Sequence, residues 1–175
     1  SGFSVHAAGN ITVAGVVESA TVEAGGDLIV AKGIVGNTDS VVRADGNVYA
    51  KYLENSIVHA RANLQADCIV NSEVYSDGDI EVRSGRGIIV GGRIRAGKKV
   101  SAKVIGSKSE SQTRIYLGGE PCMEYERQEL AAVIEEAEDE LEKLEKRPNS
   151  PDKLERMKRL QFDLSVNRIK LEQMD

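Results

Sequence analysis

Cysteine, histidine and long apolar runs are all scarce in this chain. Its 175 residues hold two cysteines, Cys68 and Cys122, and two histidines, His6 and His59. Two cysteines make neither a disulfide framework nor a zinc set. They fit a reducing compartment, so the expected location is the cytoplasm. No stretch approaches the roughly 20 continuous apolar residues of a membrane span. Ser1-Gly2-Phe3 shows no basic region followed by an apolar run, so no secretory signal is read there. An excess of basic charge is also missing. The 23 Lys and Arg stand against 28 Asp and Glu, a formal net charge of −5. A general nucleic-acid binder needs a basic footprint, so that class is set aside. What remains, 29% charged and 41% hydrophobic residues, is the balance of a folded domain.

Two further absences divide the chain. No glycine follows Gly119, and no proline precedes Pro121. Residues 1–120 carry 13 acidic and 13 basic side chains, while residues 121–175 carry 15 and 10. The boundary is expected at Gly118-Gly119-Glu120-Pro121, because proline opens a helix well at its first position. The expected domains are 1–119 and 120–175.

The first part repeats. Six segments align: residues 5–13, 22–30, 42–50, 58–66, 74–82 and 94–102, with starts 17, 20, 16, 16 and 20 residues apart. Thr113-Arg114-Ile115-Tyr116-Leu117 is a partial seventh. Most units read apolar, variable, small, variable, Gly-Asn/Asp, apolar, variable, apolar. Period-two alternation describes a strand with one buried face. The Gly-Asn/Asp pair tolerates left-handed backbone angles and is read as a corner. Such a unit buries its apolar face only by stacking on its neighbours, as one coil of a parallel β-solenoid. About six coils at a spacing of about 4.8 Å make a rod roughly 30 Å long.

This register predicts inward columns. One is Val5, Val22, Val42, Val58, Val74 and Ile94. A second is Ile11, Leu28, Val48, Leu64, Ile80 and Val100. A further short apolar piece follows in most units, with Val17, Ile34, Leu53, Ile69, Ile89 and Ile105 at similar places. Ala7, Ala24, Ala44, Ala60, Ser76 and Ala96 form a third inward column, at a narrow place. His6, Glu23, Arg43, His59, Tyr75 and Arg95 are expected outward and solvated. Asp45, Arg61 and Asp77 should pair charges between coils. The two 20-residue gaps place extra residues in Gly33–Asp39 and Ser84–Gly92. They either turn a corner or form a binding face.

The second part predicts two helices, at about 121–147 and 151–174. Leu130, Ile134, Ala137, Leu141 and Leu144 recur at four, three, four, three. Arg147-Pro148-Asn149-Ser150-Pro151 breaks the pattern, with Ser150 as cap and Pro151 as first helical residue. Met157, Leu160, Leu164, Leu171 and Met174 continue a seam, with Asn167 at one slot. Asn167 either sets register or sits at the edge. The short break makes an antiparallel coiled-coil hairpin the expected arrangement.

Chemistry-bearing motifs are thin. His6 and His59 fall in non-adjacent coils and are read as surface residues, not metal ligands. Cys68 is expected to pack beside Ile69. Cys122 sits at the junction, open to being exposed and reactive, with no base placed beside it by sequence. The glycines from Gly85 to Gly92 precede no helix, which rules out the dinucleotide and P-loop fingerprints. The corner column Asn10, Asp27, Asn47, Asn63 and Asp79 is too sparse in acid for a calcium-binding solenoid. Lys98, Lys99, Lys103 and Lys108 form a modest basic patch at an end coil. The expectation is therefore no catalytic residue, no cofactor-binding residue and no metal ligand.

The glycine-cornered coils are followed by Gly87-Ile88-Ile89-Val90-Gly91-Gly92-Arg93-Ile94-Arg95-Ala96, then by Val104-Ile105-Gly106-Ser107. Thr113 then precedes Ile115-Tyr116-Leu117-Gly118, and an acidic coiled coil closes the chain. This order resembles the bacterial flagellar assembly protein A family over essentially the whole chain. The resemblance implies a mainly β fold, a right-handed parallel β-helix, and in most members an additional amino-terminal domain. It implies a cytoplasmic, non-enzymatic role in flagellar assembly, motility or cell-pole organisation, with no catalytic residues to carry over.

The leading reading is a polymer-forming scaffold that self-assembles through its β-helix ends or its coiled coil. Protein partners or a homo-oligomer are expected, with no nucleic acid and no membrane span. The alternative is a polysaccharide-acting enzyme, for which Asp45, Asp77 and Asp79 are the nearby carboxylates. Another is a ligand-sensing adaptor that uses the glycine-rich bulges, with Arg86 as its test residue. A left-handed acyltransferase solenoid needs a strict six-residue period, which the spacing breaks.

Overall fold

The structure is a computed structural model that describes residues 2–37, 40–109 and 111–174. Thr38 and Asp39, the end of the first expected bulge, lie outside the described residues, as do Ser1, Glu110 and Asp175. The chain forms two compact units, Ser1–Cys122 and Met123–Asp175.

The first unit is a parallel β-solenoid of about 7 turns. Its first face holds Phe3–Ala7, Ala20–Ala24, Val41–Ala44, Ile57–Ala60, the later parts of Cys68–Ser76 and Ile88–Ala96, and Thr113–Leu117. A second face holds Ile11–Val13, Leu28–Val30, Val48–Tyr49, Leu64–Gln65, Asp79–Val82 and Lys99–Ala102. A third holds Val17–Glu18, Gly33–Val35, Tyr52–Glu54, the starts of the two long strands, and Val104–Ile105. All the pairings are parallel, each strand bonding to its equivalent one turn away. The partial seventh unit is therefore a true strand, pairing Ile94 with Ile115 and Ala96 with Leu117.

The predicted inward columns lie in the expected register, and the further apolar piece forms an inward column of its own. Val22 meets Val42, Leu28 meets Val48, and Ile34 meets Leu53. Ile69, Ile80, Ile89 and Ile94 have no exposed surface. Burying such a side chain contributes roughly 1.5–3 kcal/mol each before conformational entropy is charged. Column ends are the exception. Val5 is 47% exposed and Ile105 53%, because each belongs to an outermost turn. The small column is buried from Ala24 to Ala96, which lets the first strand turn sharply into the second face.

The corners correct the sequence reading. Gly9, Gly26, Gly46 and Gly78 are not in the left-handed region. A Cβ on Gly26, Gly46 or Gly78 would instead stand 2.2, 2.2 or 2.3 Å from the Oδ1 of Asn10, Asp27 or Asn63 in the preceding turn. Glycine is needed there for space. Left-handed backbone falls at another corner, before the first face, at Ser19, Asn55, Asn71 and Gly91. Ser56 and Ser72 follow two of these residues and are buried, and the Ser56 N–H donates to Ser72 Oγ at 3.2 Å.

The second unit holds α1 (Pro121–Glu145, whose first two residues belong to the first unit) and α2 (Pro151–Gln173). Ser150 is extended and its side chain accepts the Lys153 N–H, with Pro151 opening α2, as expected from the sequence. Ile134, Leu160 and Leu164 are buried, and the other apolar seam positions are half-buried. Arg156 forks onto Glu140 at 2.8 and 3.0 Å, and Arg168 reaches Glu138.

Candidate functional site

The corner between the first and second faces is built from polar side chains. Asn10 Oδ1 accepts the Asp27 N–H at 2.8 Å, and Asp27 Oδ1 accepts the Asn47 N–H at 2.7 Å. Asn47 Oδ1 accepts the Asn63 N–H at 3.0 Å, and Asn63 Oδ1 accepts the Asp79 N–H at 2.9 Å. Each side chain satisfies a backbone donor one turn on, which the turn would otherwise leave unpaired. The ladder stops at Asp79, whose register partner is Lys99, and the two charges lie 4.0 Å apart. These oxygens are committed to structure. Among the described residues, no group of three or more His, Cys, Asp and Glu is placed to hold a metal ion.

The three carboxylates considered for sugar chemistry have structural partners too. Asp45 lies 3.5 Å from Arg61. Asp77 accepts the Cys122 N–H at 2.8 Å. Burial raises the Asp77 carboxyl above its ordinary range, opposed by that hydrogen bond. Asp79 faces Lys99.

The outward column of the first face is not solvated throughout. His6 is exposed and meets Glu23 at 2.9 Å. His59 and Tyr75 are buried, at 3% and 4% exposed, with ring centroids 4.7 Å apart. Burial first, and Arg43 second, lower the His59 pKa to about 4. Arg95 continues the column and lies 5.1 Å over the ring of Tyr116. A polar residue type did not reveal burial here, because the rings pack on each other while Arg43 and Arg95 flank them in register.

Cys122 is buried, and its thiol donates to the Ala60 carbonyl at 3.5 Å. A reactive, exposed thiol at the junction is thereby excluded. Cys68 is half-buried beside the inward Ile69, with its own side chain on the outer surface. Burial raises the Cys68 thiol, with Arg86 opposing.

The two bulges fall at different corners. The first lies between Gly33–Val35 and Val41–Ala44, and the second between Asp79–Val82 and Ile88–Ala96. In the second, Gly85 and Gly87 are left-handed and Lys103 Nζ donates to the Gly85 carbonyl at 3.0 Å. The two bulges do not share a face.

The outer surface of the third face was not foreseen. Because Ile34, Leu53, Ile69 and Ile89 point inward, their neighbours point out. One outward column runs Gly33, Tyr52, Cys68, Ile88, Val104, and the next runs Glu18, Val35, Glu54, Val70, Val90. Most of these side chains are apolar. The signal lay in the continuous runs Cys68-Ile69-Val70 and Ile88-Ile89-Val90, where alternation fails and both faces of the strand are apolar.

Stacked turns, an Asn/Asp ladder and a helical tail define a parallel β-solenoid with appended helices. Residues 1–174 match the family described as FapA, the Flagellar Assembly Protein A beta solenoid domain, and the chain belongs to that family. No curated protein and no solved structure matches the chain. Among the described residues no helix is long and apolar enough to cross a membrane.

Proposed function

We propose that this chain is a non-enzymatic, self-assembling scaffold acting in flagellar assembly, motility or cell-pole organisation, in the cytoplasm. The observation that carries the reading is the run of parallel turns stacked in register, whose last described turn leaves apolar side chains exposed. Ile105 and Leu117 are 53% and 63% exposed in that turn. Strands with one unpaired edge and exposed apolar columns favour association with another chain. The carboxylates that an enzyme would need are held by Arg61, Cys122 and Lys99, which weighs against the polysaccharide reading.

The finer architecture belongs to the same proposal. The solenoid is right-handed, in keeping with the hand of about 98% of parallel crossover connections. Residues 1–119 form the rod and 120–175 an antiparallel coiled-coil hairpin. Its support is the order of the bridges: Arg127 to the Met174 carbonyl, Glu138 to Arg168, Glu140 to Arg156. Partner residue numbers fall as those of α1 rise.

Light scattering over a concentration series, with electron microscopy of the same samples, tests the scaffold. Filaments or a defined oligomer are expected. A monomer at every concentration, together with normal flagellation in a strain lacking the protein, would remove this reading.

A further inference from the structure

Helix α2 buries one side and leaves a second apolar stripe on the other. Its buried residues are Lys153, Leu160 and Leu164. Phe162, Val166 and Ile169 recur at four and three, which sets them on one stripe. At 3.6 residues per turn that stripe lies on the side of the helix away from Leu160 and Leu164. Phe162 is 70% and Ile169 56% exposed, and Val166 is half-buried. The same spacing continues to Arg159 before the stripe and Gln173 after it, so a polar residue closes each end. Asp163 and Lys170 flank the stripe along one edge, and Lys158, Ser165 and Glu172 along the other, all of them exposed. Among the described residues the ion pairs of α2 are Arg156 with Glu140 and Arg168 with Glu138. The four flanking charges take no part in them.

We propose that this stripe pairs with the same stripe of a second copy, the two α2 helices running antiparallel about a two-fold axis at Val166. The proposal rests on the self-association argued above and names one contact that makes it. A two-fold interface has to be complementary to itself, and this one is. Val166 meets its own counterpart, and Phe162 of each copy meets Ile169 of the other, which makes an unbroken apolar seam. Arg159 meets Gln173 at each end. On one edge Asp163 falls beside Lys170, and on the other Lys158 falls beside Glu172, so opposite charges meet on both edges. Every one of these matches holds within about 3 Å along the helix axis. Other arrangements are poorer. A parallel pair would set Arg159 against Arg159, and Glu155 one turn earlier against Glu155, and like charges at a seam repel. Shifting the antiparallel pair by one seam position sets Ile169 against Arg159, or Phe162 against Gln173.

Disulfide trapping reads the register. Phe162→Cys and Ile169→Cys are made as separate full-length proteins in a Cys68→Ser background, Cys122 being buried. Each is oxidised with copper–phenanthroline, alone and in an equal mixture, and the products are identified by intact mass. The mixed disulfide is the expected main product, with little dimer from either variant alone. Sedimentation equilibrium of the wild type and its charge variants reads the edges. Asp163→Lys should associate about ten-fold more weakly, because one attractive pair turns repulsive at two symmetric places. Asp163→Lys/Lys170→Asp exchanges the charges and should recover the wild-type association. Both positions are exposed, so the helical circular dichroism of these variants should match the wild type. In dilute protein the copies separate, and Phe162 then adds little to the fold of one chain. Dimers formed by each cysteine variant alone, in place of the mixed product, would overturn the proposal. So would an association constant that Asp163→Lys leaves unchanged or that the exchange fails to recover. Those results would leave assembly through the solenoid standing. A monomer at every concentration would overturn the proposal together with the self-association it rests on.

Discussion

Asn63 and Gly78 are a coupled pair. The Asn63 Oδ1 accepts the Asp79 N–H at 2.9 Å, and the same oxygen stands 2.3 Å from where a Cβ on Gly78 would be. The Ala62 carbonyl oxygen is 2.6 Å from that point. Glycine in one turn and asparagine in the turn before it are two parts of one corner.

Gly78→Ala should therefore destabilise the solenoid, although Gly78 is not in the left-handed region. Overpacking of this kind costs about 1–3 kcal/mol. Gly9 occupies the same place in the first turn, where a Cβ meets nothing within 4 Å. Gly9→Ala should be neutral or stabilising by about 0.4–1 kcal/mol through the unfolded state. Urea unfolding of both variants checks the pair. Equal losses would mean that backbone conformation, not space, selects these glycines.

The ladder predicts a chemical rule at Asn63. Asp27 already performs the same task with a carboxylate, accepting the Asn47 N–H at 2.7 Å. Asn63→Asp should therefore hold its stability, while Asn63→Ala should lose about 1 kcal/mol for the missing hydrogen bond. Chemical denaturation measures both. An alanine variant as stable as the wild type would mean that water replaces the ladder without cost.

The sequence made the columns legible because they obey a period of two across repeated units. The register of Val22 with Val42 and of Leu64 with Ile80 follows from aligning the units alone. Two things were not legible. The reason for each corner glycine needs the turn below it, which lies 16–20 residues away and is in contact only after stacking. The burial of His59 and Tyr75 is likewise a property of assembled neighbours, since residue type alone placed both outside. The Asn-Ser pairs at Asn55-Ser56 and Asn71-Ser72 were an unread signal for the left-handed corner.

The helical unit separates seam from surface. Leu164 is 3% exposed, whereas Phe162 is 70% exposed two residues earlier. Leu164→Ala should cost about 2–5 kcal/mol of that unit's stability, the range for a large-to-small change in a core. Phe162→Ala should change it little. Thermal melts followed by helical circular dichroism distinguish the two. Comparable losses would place Phe162 in a packed interface.

His59 gives the chain an acid-sensitive point with a definite sign. Its pKa falls from 6.5 unfolded to about 4 folded, so the folded state prefers the neutral ring. The stabilisation from the neutral ring is full above 6.5 and is lost as pH falls from 6.5 through 4. The largest loss is about 3 kcal/mol at the standard conversion of pKa to free energy. Asp77 acts in the opposite sense, because burial raises its carboxyl and favours the protonated form in the folded state. The difference between wild type and His59→Asn isolates the histidine. Across this window the wild type should lose stability more steeply on acidification than the variant, in denaturant titrations at matched ionic strength. Parallel curves would mean that His59 titrates alike in both states, and that its ring is accessible to water in the folded solenoid.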